Sequence, residues 1–184
     1  ALISKDIIGK IDVIIDFSTA KAVPALLAFS KEKNIPVVLC TTALSDETTE
    51  LMKETSKDVA VLKSANMSLG INLLLKLLKD AAAVLAPAGF DIEVVETHHR
   101  RKLDAPSGTA IALADSINEE MDHAYTYVYD RSTRRQQRDA KEIGLSAVRG
   151  GTIVGEHDVL FAGEDEVITF SHTAYSRNVF AKGA

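Results

Sequence analysis

Two histidines and three cations stand in five consecutive residues, His98-His99-Arg100-Arg101-Lys102. A histidine titrates near neutrality and can relay a proton, and a lysine beside it puts positive charge where an anion is to sit. The sequel sharpens this chemistry. Asp104-Ala105-Pro106 is a turn, and Ser107-Gly108-Thr109 opens an apolar-periodic segment with Ile111, Ala112 and Leu113. Such a start leaves backbone N–H groups and the positive end of a helix facing the loop, which is an anion site. With Lys102 and a histidine beside it, the constellation suits a small ligand bearing carboxylates or phosphate. The competing reading is an exposed strand end followed by a solvated charge run. It must treat the helix start, the lysine and the histidines as coincidence. Zinc fits poorly, because adjacent histidines lack the i, i+4 spacing of common metal pairs and Cys40 is the lone cysteine. No metal is expected.

These residues must be positioned by the elements around them. Val13–Asp16, Val37–Cys40 and Val59–Leu62 are short β-branched runs that read as buried parallel strands. Between them, 19–33 and 45–56 read as helices, with Ser18 or Thr19 and Ser45 as N-caps. This β-α-β-α-β series predicts a parallel sheet with ligands at the carboxyl ends of its strands, near Asp16–Ser18, Cys40–Thr42 and Ser64–Asn66. Residues 69–85 form an amphipathic helix with Leu74, Leu77, Leu78, Ala81 and Leu85 on one face, ended by Pro87 and Gly89. A strand over 91–97 leads into the histidines. Neighbouring strand residues face opposite ways, so His98 and His99 share a site only if the strand has already ended in a loop. A helix over 107–121, a solvated loop over 131–141 and strands over 145–149, 152–161 and 166–173 complete the chain. The change from strand-helix alternation to strands in series predicts a domain boundary near 66–68. The fold class is therefore α/β: a partial Rossmann-like parallel sheet over 1–67, then an α+β unit with a mixed or antiparallel sheet over 68–184.

At 184 residues with a formal net charge of −5, the chain can bury a core but lacks the basic balance of a general nucleic-acid binder. No apolar run reaches bilayer length, no signal-peptide pattern opens the chain, and one cysteine fits a reducing compartment. A cytoplasmic protein is expected, with neither membrane nor nucleic acid as partner.

The stretch HHRRKLDAPSGTA, beginning at His98, closely resembles the signature of the dihydrodipicolinate reductases. DFSTA at Asp16, CTT at Cys40, SANMSLGIN at Ser64, VRGGTIVGEH at Val148 and SHTAYSRNVFAKGA at Ser171 resemble further landmarks of that family in the same order. The resemblance implies an oxidoreductase of lysine and diaminopimelate biosynthesis, in which NADH or NADPH gives a hydride to the cyclic dicarboxylate 4-hydroxy-tetrahydrodipicolinate. It implies His98 as acid/base residue and Lys102 as proton donor. It implies substrate binding by His99, Ser107, Gly108 and Thr109, and cofactor binding by Cys40, Thr41, Thr42, Ser64, Ala65, Asn66 and Met67. A homo-oligomer, a tetramer by resemblance, is implied as well. The sequence departs from the family at Cys40 and Ala43, where glycines are usual, and at Met67, where phenylalanine is usual.

No G-x-G-x-x-G turn occurs in the chain, so the pyrophosphate of a dinucleotide lacks its usual seat. The sequence reads as a central fragment of such an enzyme, inactive alone, with an unpaired sheet edge at Val13–Asp16. The alternative of a different class is a non-catalytic anion-binding or oligomerisation module.

Overall fold

The computed structural model describes residues 10–184, which divide into two compact units at Met67/Ser68. In the first unit three parallel strands, β1 (Ile14–Asp16), β2 (Val37–Leu39) and β3 (Val61–Lys63), lie in sequence order. They alternate with helices α1 (Val23–Lys33) and α2 (Asp46–Thr55). Val23, Leu26 and Leu27 of α1 pack on Val37 and Leu39, with Ile14, Leu44 and Met52 around them. The opposite face is open: Ile15 and Leu62 are about half exposed. Among the described residues β1 and β3 each pair with β2 alone.

The start of α1 differs from expectation. Residues 20–22 form a 3-10 turn, Thr19 makes no capping bond, and α1 begins after Ala22 with a proline in its first turn. Pro24 has no N–H to place in a helix ladder, so the first turn is the position that tolerates it. Helix α2 does start as read: Ser45 Oγ accepts the Thr48 amide at 3.2 Å, and Asp46 and Glu47 fill the first turn.

The second unit is a five-stranded mixed sheet of order β5-β6-β4-β7-β8, built from β4 (Asp91–His98), β5 (Thr126–Val128), β6 (Glu142–Arg149), β7 (Gly155–Ala162) and β8 (Val167–Ala174). Strand β4 runs parallel to β6 and antiparallel to β7. Helices α3 (Leu69–Leu85) and α4 (Gly108–Glu120) contribute to the core with one face of this sheet, and α5 (Asn178–Gly183) ends the chain. The buried stripe of α3 is Ile71, Leu74, Leu78 and Ala82, rotated from the expected one, so that Leu77 is 40% exposed. That spacing follows the 3.6-residue turn, and Leu77 falls beside the stripe. Gly89, at φ +89, turns the chain from α3 into β4 where other residues would be strained.

The region 131–141 is less solvated than expected. Arg131 and Arg134 pair with Glu142, and Arg138 reaches Asp91, Glu93 and the carbonyls of Ile92 and Glu142. The short strand β5 before it has no counterpart in the sequence reading.

Along β4 the inner residues alternate with period two: Ile92, Val94, Glu96 and His98 are buried. Opposite them on β7 stand Phe161, Val159 and His157, in register with Ile92, Val94 and Glu96. One end of this covered face is therefore hydrocarbon, and the other is titratable.

Candidate active site

Strand β4 continues one residue further than read and ends at His98, whose side chain is buried. His99 lies beyond the strand and is half-buried. His99 thus falls in the loop and is free of the strand's alternation, the condition under which both histidines can reach one site.

Glu96 lies at the centre of the polar end. Its side chain is fully buried and its carboxylate accepts four hydrogen bonds. His98 Nδ1 (2.6 Å) and Arg149 Nη1 (2.7 Å) donate to Oε2, while Arg149 Nη2 (2.6 Å) and the Ser107 amide (3.0 Å) donate to Oε1. An uncompensated buried charge would cost several kcal/mol. Here burial pushes the carboxyl up, but the bonds from His98, Arg149 and the Ser107 amide together outweigh it and hold the pKa at about 2. The group is a carboxylate at neutral pH.

That charge fixes the imidazole. A carboxylate only accepts hydrogen bonds, so Nδ1 of His98 must carry the proton, and in the neutral ring Nε2 holds the lone pair. Gly155 makes room for this nitrogen: a Cβ there would stand 2.9 Å from Nε2. The ring meets His157 edge-on. His157 is buried, with Nε2 at 3.1 Å from Ser107 Oγ. Burial, then the neighbouring His98, lowers its pKa to about 3. His157 is thus a neutral group at physiological pH. His172, opposite His157 on β8, is also shifted down, by burial, and its Nε2 lies 3.3 Å from Ser68 Oγ.

Ser107 is the N-cap of α4. Its hydroxyl accepts the Ala110 amide at 3.1 Å, and both hydroxyl and amide are engaged within the protein. Of the residues expected to hold substrate, Ser107 therefore contributes by building the helix start. Gly108 follows at the first helical position, and the Thr109 side chain is buried. First-turn amides have no carbonyl partner within their own helix.

The loop between β4 and α4 is held at several points. Gly150 N donates to His98 O, Arg100 N to Gly151 O, and Arg149 Nη2 to Asp104 O. Lys102 keeps its side chain largely covered and pairs with Asp104 at 2.9 Å. Burial raises the Asp104 carboxyl, but the Lys102 ammonium, a backbone hydrogen bond and Arg149 together outweigh it, so the pKa is lowered overall. Arg177, just before α5, approaches His99 at 3.4 Å. The His99 pKa is lowered by desolvation and then by Arg177, His98, Lys102 and Arg101. An anion entering here meets cations and a helix N-terminus.

In the first unit the expected cofactor residues sit at the ends of adjacent parallel strands, as read. Thr42 and Ala65 are exposed, and Ser64 Oγ donates to the Asn66 carbonyl. The Thr41 hydroxyl, however, is committed to buried Asp16, and the Met67 side chain is buried, so neither side chain is presented to solvent. The Cys40 thiol is shifted up by burial and by Asp16, consistent with a small apolar residue rather than a reactive one. Ala43 has φ +56.

Sequence reasoning missed Glu96, Arg149, His157, His172 and Arg177. Period-two alternation back from His98 puts Glu96 on the same face, a signal that was available. The partners on other strands depend on register, which no local pattern states.

A parallel strand-helix sheet, followed by a mixed sheet with titratable groups at its covered end, is the make-up of a two-domain α/β reductase. Residues 3–67 match the family described as dihydrodipicolinate reductase, N-terminus, and residues 70–184 match dihydrodipicolinate reductase, C-terminus. The chain belongs to the dihydrodipicolinate reductase family. It is 54% identical over 180 residues to the 4-hydroxy-tetrahydrodipicolinate reductase of Caldanaerobacter subterraneus subsp. tengcongensis, covering 98% of this chain and 71% of that protein. It is 50% identical to the Clostridium tetani enzyme of the same name, over 94% of this chain and 67% of that one. The dipicolinate-bound dihydrodipicolinate reductase from Paenisporosarcina sp. TG-14 superposes with a TM-score of 0.65 at 28% identity, covering 94% of this chain and 65% of that one.

Proposed function

We propose that this chain supplies the substrate site and the nicotinamide-side strand ends of an NAD(P)H-dependent reductase. The reaction takes a hydride and a proton into 4-hydroxy-tetrahydrodipicolinate and releases its hydroxyl as water, giving tetrahydrodipicolinate in lysine and diaminopimelate biosynthesis. The names carried by relatives at 54% and 50% identity support this reading, and so does a solved relative bound to dipicolinate. The observation that carries it is the imidazole of His98, held by Glu96 at the end of β4 and tied through the Ser107 amide to the start of α4.

The site's own residues divide the work. The α4 amides at Gly108 and Thr109 take a substrate carboxylate, helped by the positive helix end. His99 and neighbouring Arg177 face the ligand's remaining charge. Lys102 gives the proton that accompanies reduction, and His98 acts as acid/base residue through Nε2. The cofactor, when bound, supplies the hydride. Exposed Thr42 and Ala65, with Cys40, Ser64 and Asn66 beside them at two adjacent strand ends, suit its nicotinamide end. Thr41 and Met67 support that edge from within.

We further propose a cytoplasmic homotetramer. The sheet face opposite α3 and α4 exposes Val148 and Val167, with Thr169, Ser171 and Thr173 along β8 and the charged Glu156 and Asp158 on β7 beside them, a surface open to pairing between copies. Light scattering on the purified protein reads its size directly.

The test of function is calorimetric titration of dipicolinate into the chain, with and without NADH or NADPH. Binding at or below millimolar concentration that Gly108→Val abolishes supports the site. Absence of binding, or binding unaffected by Gly108→Val, overturns it.

A further inference from the structure

Resting on the reading of His98 as the acid/base residue, we infer that Glu96 and Arg149 are a positioning pair, which sets the tautomer of His98 and locks the imidazole to the anion-binding helix start. Arg149 spends Nη1 and Nη2 on protein oxygens. Glu96 is 1% exposed and all four of its hydrogen-bond donors are protein groups.

The argument is one of donor counting. Arg149 and the Ser107 amide can only donate, so they occupy the carboxylate without offering a proton back. The one remaining partner, His98 Nδ1, is forced to be a donor. Free neutral imidazole can place its proton on either nitrogen. Here only one choice satisfies the buried carboxylate, and it leaves Nε2 as the proton-accepting atom. Arg149 has a second duty. Its two-pronged contact pins both carboxylate oxygens, and the same guanidinium donates to the Asp104 carbonyl at 2.7 Å. Asp104 in turn pairs with Lys102. One buried ion pair thus sets the His98 tautomer, holds the Ser107 amide at the start of α4, and braces the loop that carries Lys102.

A purely structural ion pair would make no demand on the histidine's tautomer, which makes the tautomer the deciding observable. Selective 15N labelling of histidine in the 184-residue chain, with His98→Gln for assignment, reads it in neutral rings without cofactor or substrate. A protonated Nδ1 and bare Nε2 at His98 are expected. In Glu96→Gln the single amide oxygen cannot serve four donors, and the two tautomers should mix. In the full-length protein, Glu96→Gln should lower kcat about tenfold or more while KM moves less than about threefold, and Arg149→Lys should fall between it and wild type. An Nε2-protonated His98 in the wild type overturns the inference. So does a Glu96→Gln variant that keeps the wild-type tautomer and kcat, or one whose losses track only its unfolding. Should Glu96→Gln not fold, the wild-type spectrum still decides. A full-length protein inert toward substrate would defeat the proposed reaction and leave the tautomer result standing.

Discussion

The ring of His98 stands edge-on to that of His157, with centroids 5.1 Å apart and planes at 76°. Two histidines in contact thus have opposite surroundings. One is oriented by a carboxylate, and the other is kept neutral by burial beside it.

His157 should make the fold acid-sensitive. Its pKa is about 3 folded against an ordinary 6.5, so between these values the unfolded chain binds more protons. Stability from this group is complete above pH 6.5 and is lost as pH falls toward 3, at up to about 1.4 kcal/mol per pH unit. Glu96, lowered to about 2, adds a loss that sets in only below its ordinary value of 4.5. Urea melts at pH 7 and pH 5 should therefore show a larger loss of stability in wild type than in His157→Gln. Parallel curves would refute the assignment.

Gly155→Ala should impair the site without touching the ligand. The added methyl would stand 2.9 Å from His98 Nε2, closer than such atoms approach. Since the imidazole is anchored at its other nitrogen, it must tilt. In the full-length protein kcat should fall about tenfold or more with KM little changed, because misplaced reacting groups lose rate before they lose binding. Steady-state kinetics with a thermal melt as control separates this from unfolding.

Ala43 offers the opposite experiment. Its backbone sits at φ +56, where a Cβ is strained and where the family resemblance expects glycine. Ala43→Gly should stabilise the first unit by about 0.5–1 kcal/mol, relief of strain outweighing the added freedom of the unfolded chain. Chemical denaturation measures it, and a destabilised variant would contradict the assigned conformation.

The three residues of the opening motif should separate in kinetics of the full-length protein. His98→Gln and Lys102→Ala should depress turnover about a hundredfold or more, while His99→Gln, beside Arg177, should act chiefly on KM. Equal, mild effects from all three would return the motif to a solvated charge run.

Much of this arrangement is legible in the chain because it is local. Ser45 and Ser107 cap the helices that follow them, since a cap is a contact over three residues. The His98–Thr109 segment announces itself for the same reason, carrying a strand end, a loop and a helix start within a dozen residues. Arg149 and His157 do not, because they meet Glu96 and Ser107 only once β6 and β7 pair with β4 across 53 and 50 residues of chain. The role of Arg138 was hidden likewise. In sequence it belongs to a polar run, and in the fold it joins Asp91, Glu93 and two strand carbonyls.

Strand β4 carries Ile92 and Val94 at one end and Glu96 and His98 at the other. Amide protons of its apolar half should persist in deuterated water until the whole unit opens, while those of Arg100 to Lys102 exchange through local motion. The lifetime of the hydrocarbon end is then the clock against which the histidine's alignment is kept. Substitutions at Phe161 or Ile143, far along the sheet from any ligand, would shorten that lifetime and so blur the site without altering a single group in it.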